Sequence, residues 1–423
     1  MSIAMSSSPK NIVIIGGSNT GLMHGVVLKN LGHNVHILEQ NTQSVRADLA
    51  AGITTHPEFD EFVARHDKIP TPWSIHSPGI QFLDKNAAVK RRLNKPLQMT
   101  SWAVIYHRLR ANFDGFASEF CPEPPVSSEK STGGSALFDT GKQVTSVARV
   151  HDDDEAVEVT YRDLQNGDQE GTLRADLVIL ADGANSSVRT KLFPEVERKY
   201  VGYVAFRGTV PEAEVSEEAK KIFDPNLTYF AWDGGYIIPG TNGSLEPGHR
   251  RYNWVWYHPL PASSPAFTEI MTDSSGTLHR NTLPVGGMNP SAWSTYVALS
   301  SRVMCAPFAE VVRKTTQPFI TAINDAACPR AVALDGKVLV AGEALNLIRP
   351  HMALSTTQSA VQALMLERVC RGEMTLKQWE KGVLKWGRLG VCKTNAIGSW
   401  FLYGFWAAAG WAVRLLGVVV GVV

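Results

Sequence analysis

The feature that most constrains this chain is the stretch 11–40, which has the pattern of a strand, a glycine-rich turn, a helix and a second strand. Asn11–Ile15 is a short apolar run, typical of a strand buried on both faces. Residues 16–21 form the turn, and 35–38 read as the second strand. Two strands joined in this way lie parallel in one sheet with the helix as the crossover. The stretch therefore predicts an α/β fold.

The chemistry of the turn points to a bound dinucleotide. Gly16 permits a tight bend, and Gly21 lets the helix pack closely on the strand, while Ser18 takes the place of the middle glycine of G-x-G-x-x-G. The helix presents unpaired N–H groups and a positive dipole end to a pyrophosphate. Glu39 follows Gly21 by 18 residues, close to where such folds place the acid that holds a ribose hydroxyl. The alternative is a βαβ unit whose glycines only turn the chain.

Composition excludes several classes of function. The chain has 423 residues, enough for two or more domains. Its 41 Lys+Arg residues nearly balance its 40 Asp+Glu residues, so the chain lacks the strong positive net charge that is typical of nucleic-acid-binding proteins. The five cysteines are scattered without a C-x-x-C pair, which argues against a zinc site or a disulfide framework and suits a reducing, cytoplasmic location. The first ten residues have no apolar core like that of a signal peptide.

Two later segments repeat the strand-end pattern. The apolar run 177–180 is followed by Asp182 and Gly183, and the run 338–341 is followed by Gly342 and Glu343. Open α/β sheets bind ligands at the carboxyl ends of their strands. With Glu39 there are three strand-end acids, and one dinucleotide fold needs only the first. The other two imply a cofactor that extends past its ribose.

An aromatic stretch, YNWVWY at 252–257, predicts a strand with two different faces. Alternation places the residues at 252, 254 and 256 on one face and those at 253, 255 and 257 on the other. Such residues form either a sheet core or a wall for a planar or large apolar substrate. We expect one face to do each.

These motifs together resemble the single-component (class A) FAD-dependent monooxygenases of the para-hydroxybenzoate hydroxylase type, and most closely the 2,6-dihydroxypyridine 3-hydroxylase branch. The residues that carry the resemblance are GGSNTG at 16–21, Glu39, ADGANSSVR at 181–189, RRYNWVWY at 250–257, QPFITAINDAACPR at 317–330 and GE…RPH at 342–351. They cover nearly all of residues 11–385.

The resemblance implies a Rossmann-like FAD-binding domain interleaved with a β-sheet-rich substrate domain, plus a hydrophobic C-terminal helix. The expected segments are 1–70, 100–194 and 331–398 for the FAD-binding domain, 71–99 and 195–330 for the substrate domain, and 399–423 for the tail.

The resemblance also implies FAD contacts. Glu39 would take the adenosine ribose, Asp182 would serve both FAD and NAD(P)H, Glu343 would face the ribityl chain, and Pro350 would lie beside the isoalloxazine. The full set of predicted cofactor contacts is Gly16, Ser18, Gly21, Glu39, Arg46, Gly52, Arg108, Asp182, Gly183, Gly342, Glu343, Pro350, Ser355 and Thr356.

Some of these contacts have alternatives. His107 is an alternative to its neighbour Arg108, and both fit equally the polar face of an ordinary helix, while Arg46 fits a solvated surface charge. The sequence departs from the family pattern at two positions, because the family has Asp where Glu343 stands and Gly where Ser355 stands.

The implied reaction uses NAD(P)H to reduce FAD and O2 to hydroxylate or epoxidise an aromatic, heteroaromatic or other planar apolar small molecule, through a flavin hydroperoxide. His351 is the best-placed base, because an unperturbed pKa of about 6.5 suits proton transfer near neutrality. Arg207 and Tyr203 would orient the substrate. Structural roles are the alternative for all three. The rival reactions are those of a flavin oxidase or dehydrogenase without oxygen insertion, and of a membrane-associated terpenoid epoxidase.

The C-terminal stretch 400–423 is apolar with a single charge, Arg414. It is long enough to span a bilayer, and its aromatic residues are of the type favoured at membrane interfaces: Trp400, Tyr403, Trp406 and Trp411. Three alternatives stand: a tail anchor, an interfacial helix, and a helix docked on the protein itself or on a homodimer partner. Length and composition favour membrane association.

Overall fold

Two β-sheets of different character meet in this fold, one mostly parallel and one mostly antiparallel. The structure is a computed structural model that describes residues 8–43, 51–125, 134–150, 153–231, 233–283 and 285–421. It confirms the predicted α/β class, with a Rossmann-like sheet, a sheet-rich second part and helices at the C-terminus.

The strands are β1 (Asn11–Ile15), β2 (Asn34–Leu38), β3 (Gly52–Thr55), β4 (Ile75–Ser77), β5 (Ile80–Leu83), β6 (Val89–Leu93), β7 (Leu97–Ser101), β8 (Ala136–Asp139), β9 (Lys142–Val150), β10 (Asp153–Asp163), β11 (Gln169–Ala175), β12 (Leu177–Leu180), β13 (Lys199–Pro211), β14 (Leu227–Phe230), β15 (Asp233–Ile238), β16 (Arg251–Pro259), β17 (Thr282–Leu283), β18 (Phe319–Ala327), β19 (Val332–Ala333), β20 (Val338–Val340) and β21 (Asn346–Leu347).

The helices are α1 (Asn19–Asn30), α2 (Pro57–His66), α3 (Trp102–Asp114), α4 (Ser187–Leu192), α5 (Glu217–Phe223), α6 (Pro265–Met271), α7 (Pro290–Val303), α8 (Ala306–Lys314), α9 (Leu354–Cys370), α10 (Leu376–Tyr403) and α11 (Phe405–Val420).

The first sheet runs in the order β19–β20–β12–β1–β2–β8 and is parallel except at β19. Its central strands are apolar runs because both faces are covered. Helices α1, α3 and α9 lie on one face, and the small antiparallel sheet β9–β10–β11 packs on the other. In register, Ile14 lies beside Ile37 on one side and Ile179 on the other, and all three are buried.

The second sheet runs β17–β18–β13–β16–β15–β14–β5–β6, antiparallel except between β14 and β5. One face packs against helices α5 to α8 in a core rich in aromatic residues. Tyr252, Trp254 and Trp256 of β16 belong to that core and are almost fully buried. The neighbouring residues of β16 point to the opposite face, which looks toward the carboxyl ends of the first sheet.

The C-terminal segment differs from the expected single helix. Helix α10 ends at Tyr403, and α11 begins at Phe405 after Gly404 at φ +88°. Helix α11 packs against α10, and Leu402 packs against a small cluster of the second sheet that consists of Tyr203, Ala205, Tyr257 and Ile323. Among the residues described, no helix is both long enough and apolar enough to cross a membrane.

Candidate active site

A cavity of 690 Å³ lies between the carboxyl ends of the first sheet and the open face of the second. Strands β1, β2, β12 and β20 all end at its rim because they are parallel, so their following loops meet there. The topology thus brings together residues that are far apart in the chain.

All three strand-end acids line this cavity. Glu39 is buried, and its two carboxylate oxygens accept hydrogen bonds from the backbone N–H groups of Gly17 at 2.8 Å and Asn41 at 2.9 Å. These bonds hold the carboxylate in one orientation. Burial raises the pKa of Asp182 to about 6, and its Oδ1 atom has no hydrogen-bond partner among the described residues.

The turn after β1 leaves room for a ligand's polar groups. Gly16 has φ +101°, and a Cβ atom there would stand 2.6 Å from the carbonyl oxygen of Ala181. Ser18 is the N-cap of α1, but its side chain makes no capping hydrogen bond, and it lines the cavity with Asn19. The first N–H groups of α1 are therefore available to an anion.

Four buried polar atoms in the cavity wall have no hydrogen-bond partner among the described residues. They are Asn19 Oδ1, Asp182 Oδ1, Arg198 Nε and Arg207 Nε. Buried polar atoms are normally paired, since an unpaired one costs about 1–3 kcal/mol. Donors and acceptors spread along one cavity fit a long ligand with hydroxyl and phosphate groups, which is the chemistry of FAD.

The two departures from the family pattern contact each other. The Ser355 hydroxyl donates a hydrogen bond to Glu343 Oε1 at 2.7 Å, and both residues line the cavity. The longer glutamate thus reaches a hydroxyl that a glycine would not provide. Gly342, at φ +61°, lies outside the lining, and a Cβ there would stand 2.4 Å from the Thr20 hydroxyl on α1.

Most of the other predicted cofactor contacts also lie in the cavity wall, and Gly21 supports it from behind. Those in the wall are Gly52, Gly183, Pro350 and Thr356. A Cβ at Gly21 would stand 2.0 Å from the carbonyl oxygen of Gly16, so Gly21 is what allows α1 to approach the turn. Arg46 lies outside the described residues.

Arg108 is in a different place from the one expected. Its guanidinium binds the Asp67 carboxylate at 2.6 Å and the Ile69 carbonyl oxygen at 2.8 Å, away from the cavity. Its neighbour His107 stacks on Phe120, and burial lowers the pKa of His107 to about 4. In this structure Arg108 ties α3 to the segment at 67–69 through its hydrogen bonds, and His107 packs its ring against Phe120.

The second sheet supplies a wall with one cation and several phenols. Arg207, Val255 and Tyr257 line the cavity from β13 and β16, and Tyr229 and Tyr236 from β14 and β15. Burial raises the pKa of Tyr229 to about 12 and keeps the pKa of Tyr257 well above its ordinary value, so these phenols are neutral at pH 7. The prediction that one face of β16 is core and the other a wall is confirmed.

His351 and Tyr203 lie behind that wall and do not line the cavity. The Tyr203 hydroxyl is 2.7 Å from His351 Nε2, both side chains are buried, and the His351 ring lies 4.3 Å from the Tyr257 ring. Burial lowers the pKa of His351 to about 3. This geometry does not support His351 as the base, since it neither reaches the cavity nor titrates near neutrality.

His351 should instead make the protein sensitive to acid. A histidine whose pKa is lowered by folding takes up a proton more readily in the unfolded chain. Its contribution to stability is complete above pH 6.5 and is lost as the pH falls toward 3, by about 1.4 kcal/mol per unit. We expect the free energy of unfolding of the parent to fall between pH 6.5 and pH 5. In His351→Gln this fall should be smaller by about 2 kcal/mol, as measured by urea unfolding at both pH values.

The control is His76→Gln, at an exposed position on β4. That variant should keep the parent's pH dependence. The pH profile of activity should be the same for His351→Gln and the parent. A shift of that profile would contradict the structural role and indicate that His351 takes part in the reaction.

Sequence reasoning missed several of the lining residues, among them Asn19, Arg198, Tyr229 and Tyr236. Asn19 lies inside the glycine turn, so its position in the sequence could have identified it as a residue of the cofactor site. Tyr236 follows two glycines on β15, at a place where a ligand or another backbone often approaches closely. Arg198 has no such signal, because it precedes β13 in a loop.

Comparison with known proteins agrees with this geometry. A family model described as FAD binding domain-like matches residues 200–325. The 2,6-dihydroxypyridine 3-monooxygenase of Paenarthrobacter nicotinovorans is 27% identical over 414 residues, which are 95% of this chain and 94% of the relative. The FAD-dependent monooxygenase atnJ of an Arthrinium species is 24% identical over 381 residues, covering 88% of this chain and 78% of that one.

Solved structures show the same fold. The 2,6-dihydroxypyridine-3-hydroxylase of Arthrobacter nicotinovorans superposes with a TM-score of 0.77 at 25% identity, covering 94% of each chain. HpxO of Klebsiella pneumoniae, solved with FAD and uric acid, gives a TM-score of 0.67 at 18% identity, covering 97% of this chain and 94% of that one. FAD is accordingly the cofactor and NAD(P)H the reductant. Sequence and structure together support a single-component FAD-dependent monooxygenase that is similar to the 2,6-dihydroxypyridine 3-hydroxylase branch of the para-hydroxybenzoate hydroxylase type.

Proposed function

We propose that this monooxygenase hydroxylates a planar heteroaromatic ring that carries an ionisable hydroxyl group. The observation that carries the proposal is Arg207, a half-buried cation in the cavity wall with an unpaired Nε atom. A cation whose Nε atom has no partner among the described residues, placed among neutral phenols, favours a ligand that brings a negative charge. The relative in Paenarthrobacter nicotinovorans is named for a substrate of this class, a dihydroxypyridine.

The residues of the first sheet would hold the cofactor. Glu39 is placed for the adenosine ribose and the N-terminus of α1 for the pyrophosphate. Asp182, with its unpaired oxygen, and Glu343, with its Ser355 partner, are placed for hydroxyl groups of the linking chain. Bound FAD would supply the redox chemistry, taking electrons from NAD(P)H and using O2 to oxygenate the substrate.

The second sheet would position the substrate. Arg207 would stabilise the anionic form of the ring hydroxyl, which makes the ring richer in electrons and so easier to oxygenate. Tyr229, Tyr236 and Tyr257 would cover the ring's faces and edges as neutral hydrogen-bonding groups. Their bulk would also exclude water from the reaction.

The test is a substrate panel with the purified yellow protein. Hydroxypyridines and other hydroxylated heteroaromatics are compared with their methyl ethers, which have the same shape but no ionisable hydroxyl. Oxidation of NADH or NADPH should accelerate only with the ionisable compounds. Products formed under labelled O2 should carry one labelled oxygen atom.

Three results would contradict the proposal. If the methyl ethers accelerate NADH or NADPH oxidation equally, the substrate does not need an anionic hydroxyl group. A product without the label would indicate an oxidase or dehydrogenase. An epoxide formed from a terpenoid alkene, with no reaction of the heteroaromatics, would indicate the epoxidase.

A further inference from the structure

The solvent face of α10 carries a row of cations without counter-charges. Lys377, Lys381, Lys385 and Arg388 recur at helical spacing on one exposed face, and Lys393 follows. None of the five forms an ion pair with any residue that the structure describes. A cluster of charges of one sign gives this face a positive potential.

The helix has one acid, and that acid is used elsewhere. Glu380 Oε1 accepts hydrogen bonds from the backbone N–H groups of Ala331 and Val332, each at 3.0 Å. It therefore faces the protein body and the β19 edge. The positive face of α10 is left for a partner with negative charge.

Aromatic side chains follow the cations where α10 meets α11. Trp400, Tyr403, Phe405 and Trp406 are exposed, and Trp406 has 85% of its surface in solvent. Tryptophan and tyrosine are favoured at the boundary between lipid and water, because one end of each ring system is apolar and the other is polar.

Helix α11 is apolar on its outer side as well. Val413, Leu416, Val419 and Val420 are exposed, and Arg414 is the one charge in the helix. The Arg414 guanidinium lies 4.8 Å from the centre of the Trp411 ring, an arrangement that keeps the charge at the surface. A helix that is apolar nearly all round needs cover on its outer side.

We propose that α10 and α11 form a docking element for the surface of an anionic lipid bilayer. The aromatic turn and α11 would enter the headgroup region, and the cations of α10 would lie against anionic headgroups. The helices would lie on the surface and not cross it, in keeping with the finding that no helix among the described residues is both long and apolar enough to span a membrane. This replaces the spanning tail among the alternatives considered for the sequence.

Charge favours a bilayer over a second copy of the chain. In a two-fold dimer the same patch meets itself, so the cationic face of one α10 would approach that of the other. Like charges across an interface oppose association. Anionic headgroups complement both the cationic face and the apolar one.

The test is sedimentation of the full-length, FAD-loaded protein with lipid vesicles. Vesicles of phosphatidylcholine alone are compared with vesicles that also contain phosphatidylserine, at low and high salt. We expect binding to the mixed vesicles, weakened by salt. The variant Lys381→Gln/Lys385→Gln/Arg388→Gln should bind on the order of a hundredfold more weakly, at about 1 kcal/mol per cation. Trp406→Ser should also weaken binding.

The matched control is Lys199→Gln/Lys221→Gln/Arg313→Gln, which removes the same charge from exposed positions of the substrate domain. It should bind like the parent. Flavin content and thermal melting confirm that each variant is folded. The proposal fails if the parent ignores the mixed vesicles, or if the control loses as much binding as the α10 variant. It also fails if the parent is a dimer in light scattering that Trp406→Ser dissociates, with no vesicle binding, since a second copy then covers the face.

Discussion

Replacing Gly21 by alanine should abolish flavin retention and lower the thermal stability of the protein. The new Cβ atom would stand 2.0 Å from the carbonyl oxygen of Gly16, and no rotamer change relieves a contact with backbone. Helix α1 must shift away from the turn, at a cost of about 1–3 kcal/mol or more. The shift moves the N–H groups that we propose for the pyrophosphate. Flavin absorbance per chain and a melting curve measure both effects.

Gly410→Ala is the matched control. Gly410 lies within α11, and a Cβ atom there meets nothing within 4 Å. Alanine should be neutral or stabilising there by up to about 1 kcal/mol, because it favours helix more than glycine does. If Gly21→Ala keeps the parent's ratio of FAD to protein, the turn is not where the cofactor binds.

Replacing Arg207 by glutamine should reduce kcat/KM for an ionisable substrate by about 100-fold or more. Removing one member of a buried charge pair typically costs 2–5 kcal/mol, and each 1.4 kcal/mol is a factor of ten. FAD content should be unchanged. The substrate-free protein should be as stable as the parent or more so, since the variant removes a cation whose Nε atom is unpaired.

Two comparisons make the Arg207 result specific. Arg207→Lys keeps the charge and should retain part of the activity, while Arg313→Gln, at an exposed position on α8, should behave like the parent. The expected signature is lower activity without lower stability. A large loss of thermal stability in Arg207→Gln would instead indicate that Arg207 holds the sheet together.

Local signals in the sequence were sufficient for the nucleotide half of the site. The βαβ pattern, the glycine turn and the three strand-end acids are set by neighbours in the chain, and parallel strands must bring their carboxyl ends to one rim. Glu39, Asp182 and Glu343 therefore meet as predicted. The alternating faces of β16 were also readable, because a strand repeats every two residues.

Contacts between distant segments explain the predictions that the structure does not support. The Arg108 guanidinium pairs with the Asp67 carboxylate. The two residues are far apart in the chain, so no local sequence pattern predicts this ion pair. His351 belongs to the right loop, but α10 packs over it. Gly398 makes that approach possible, since a Cβ there would stand 2.4 Å from His351 Nε2. The direction of a loop side chain is decided by packing that no local pattern records.

The order in which the chain supplies the strands of the first sheet determines when the protein is able to bind its cofactor during synthesis. Strands β1, β12 and β20 lie side by side, yet they come from the beginning, the middle and the last quarter of the chain. A ribosome releases the chain from the N-terminus, so β1 and α1 emerge long before the neighbours that complete their sheet. Glu343 and Ser355 emerge only after more than 300 further residues have been made. Flavin binding therefore has to wait for these late residues, and a nascent chain stalled before residue 338 should carry none.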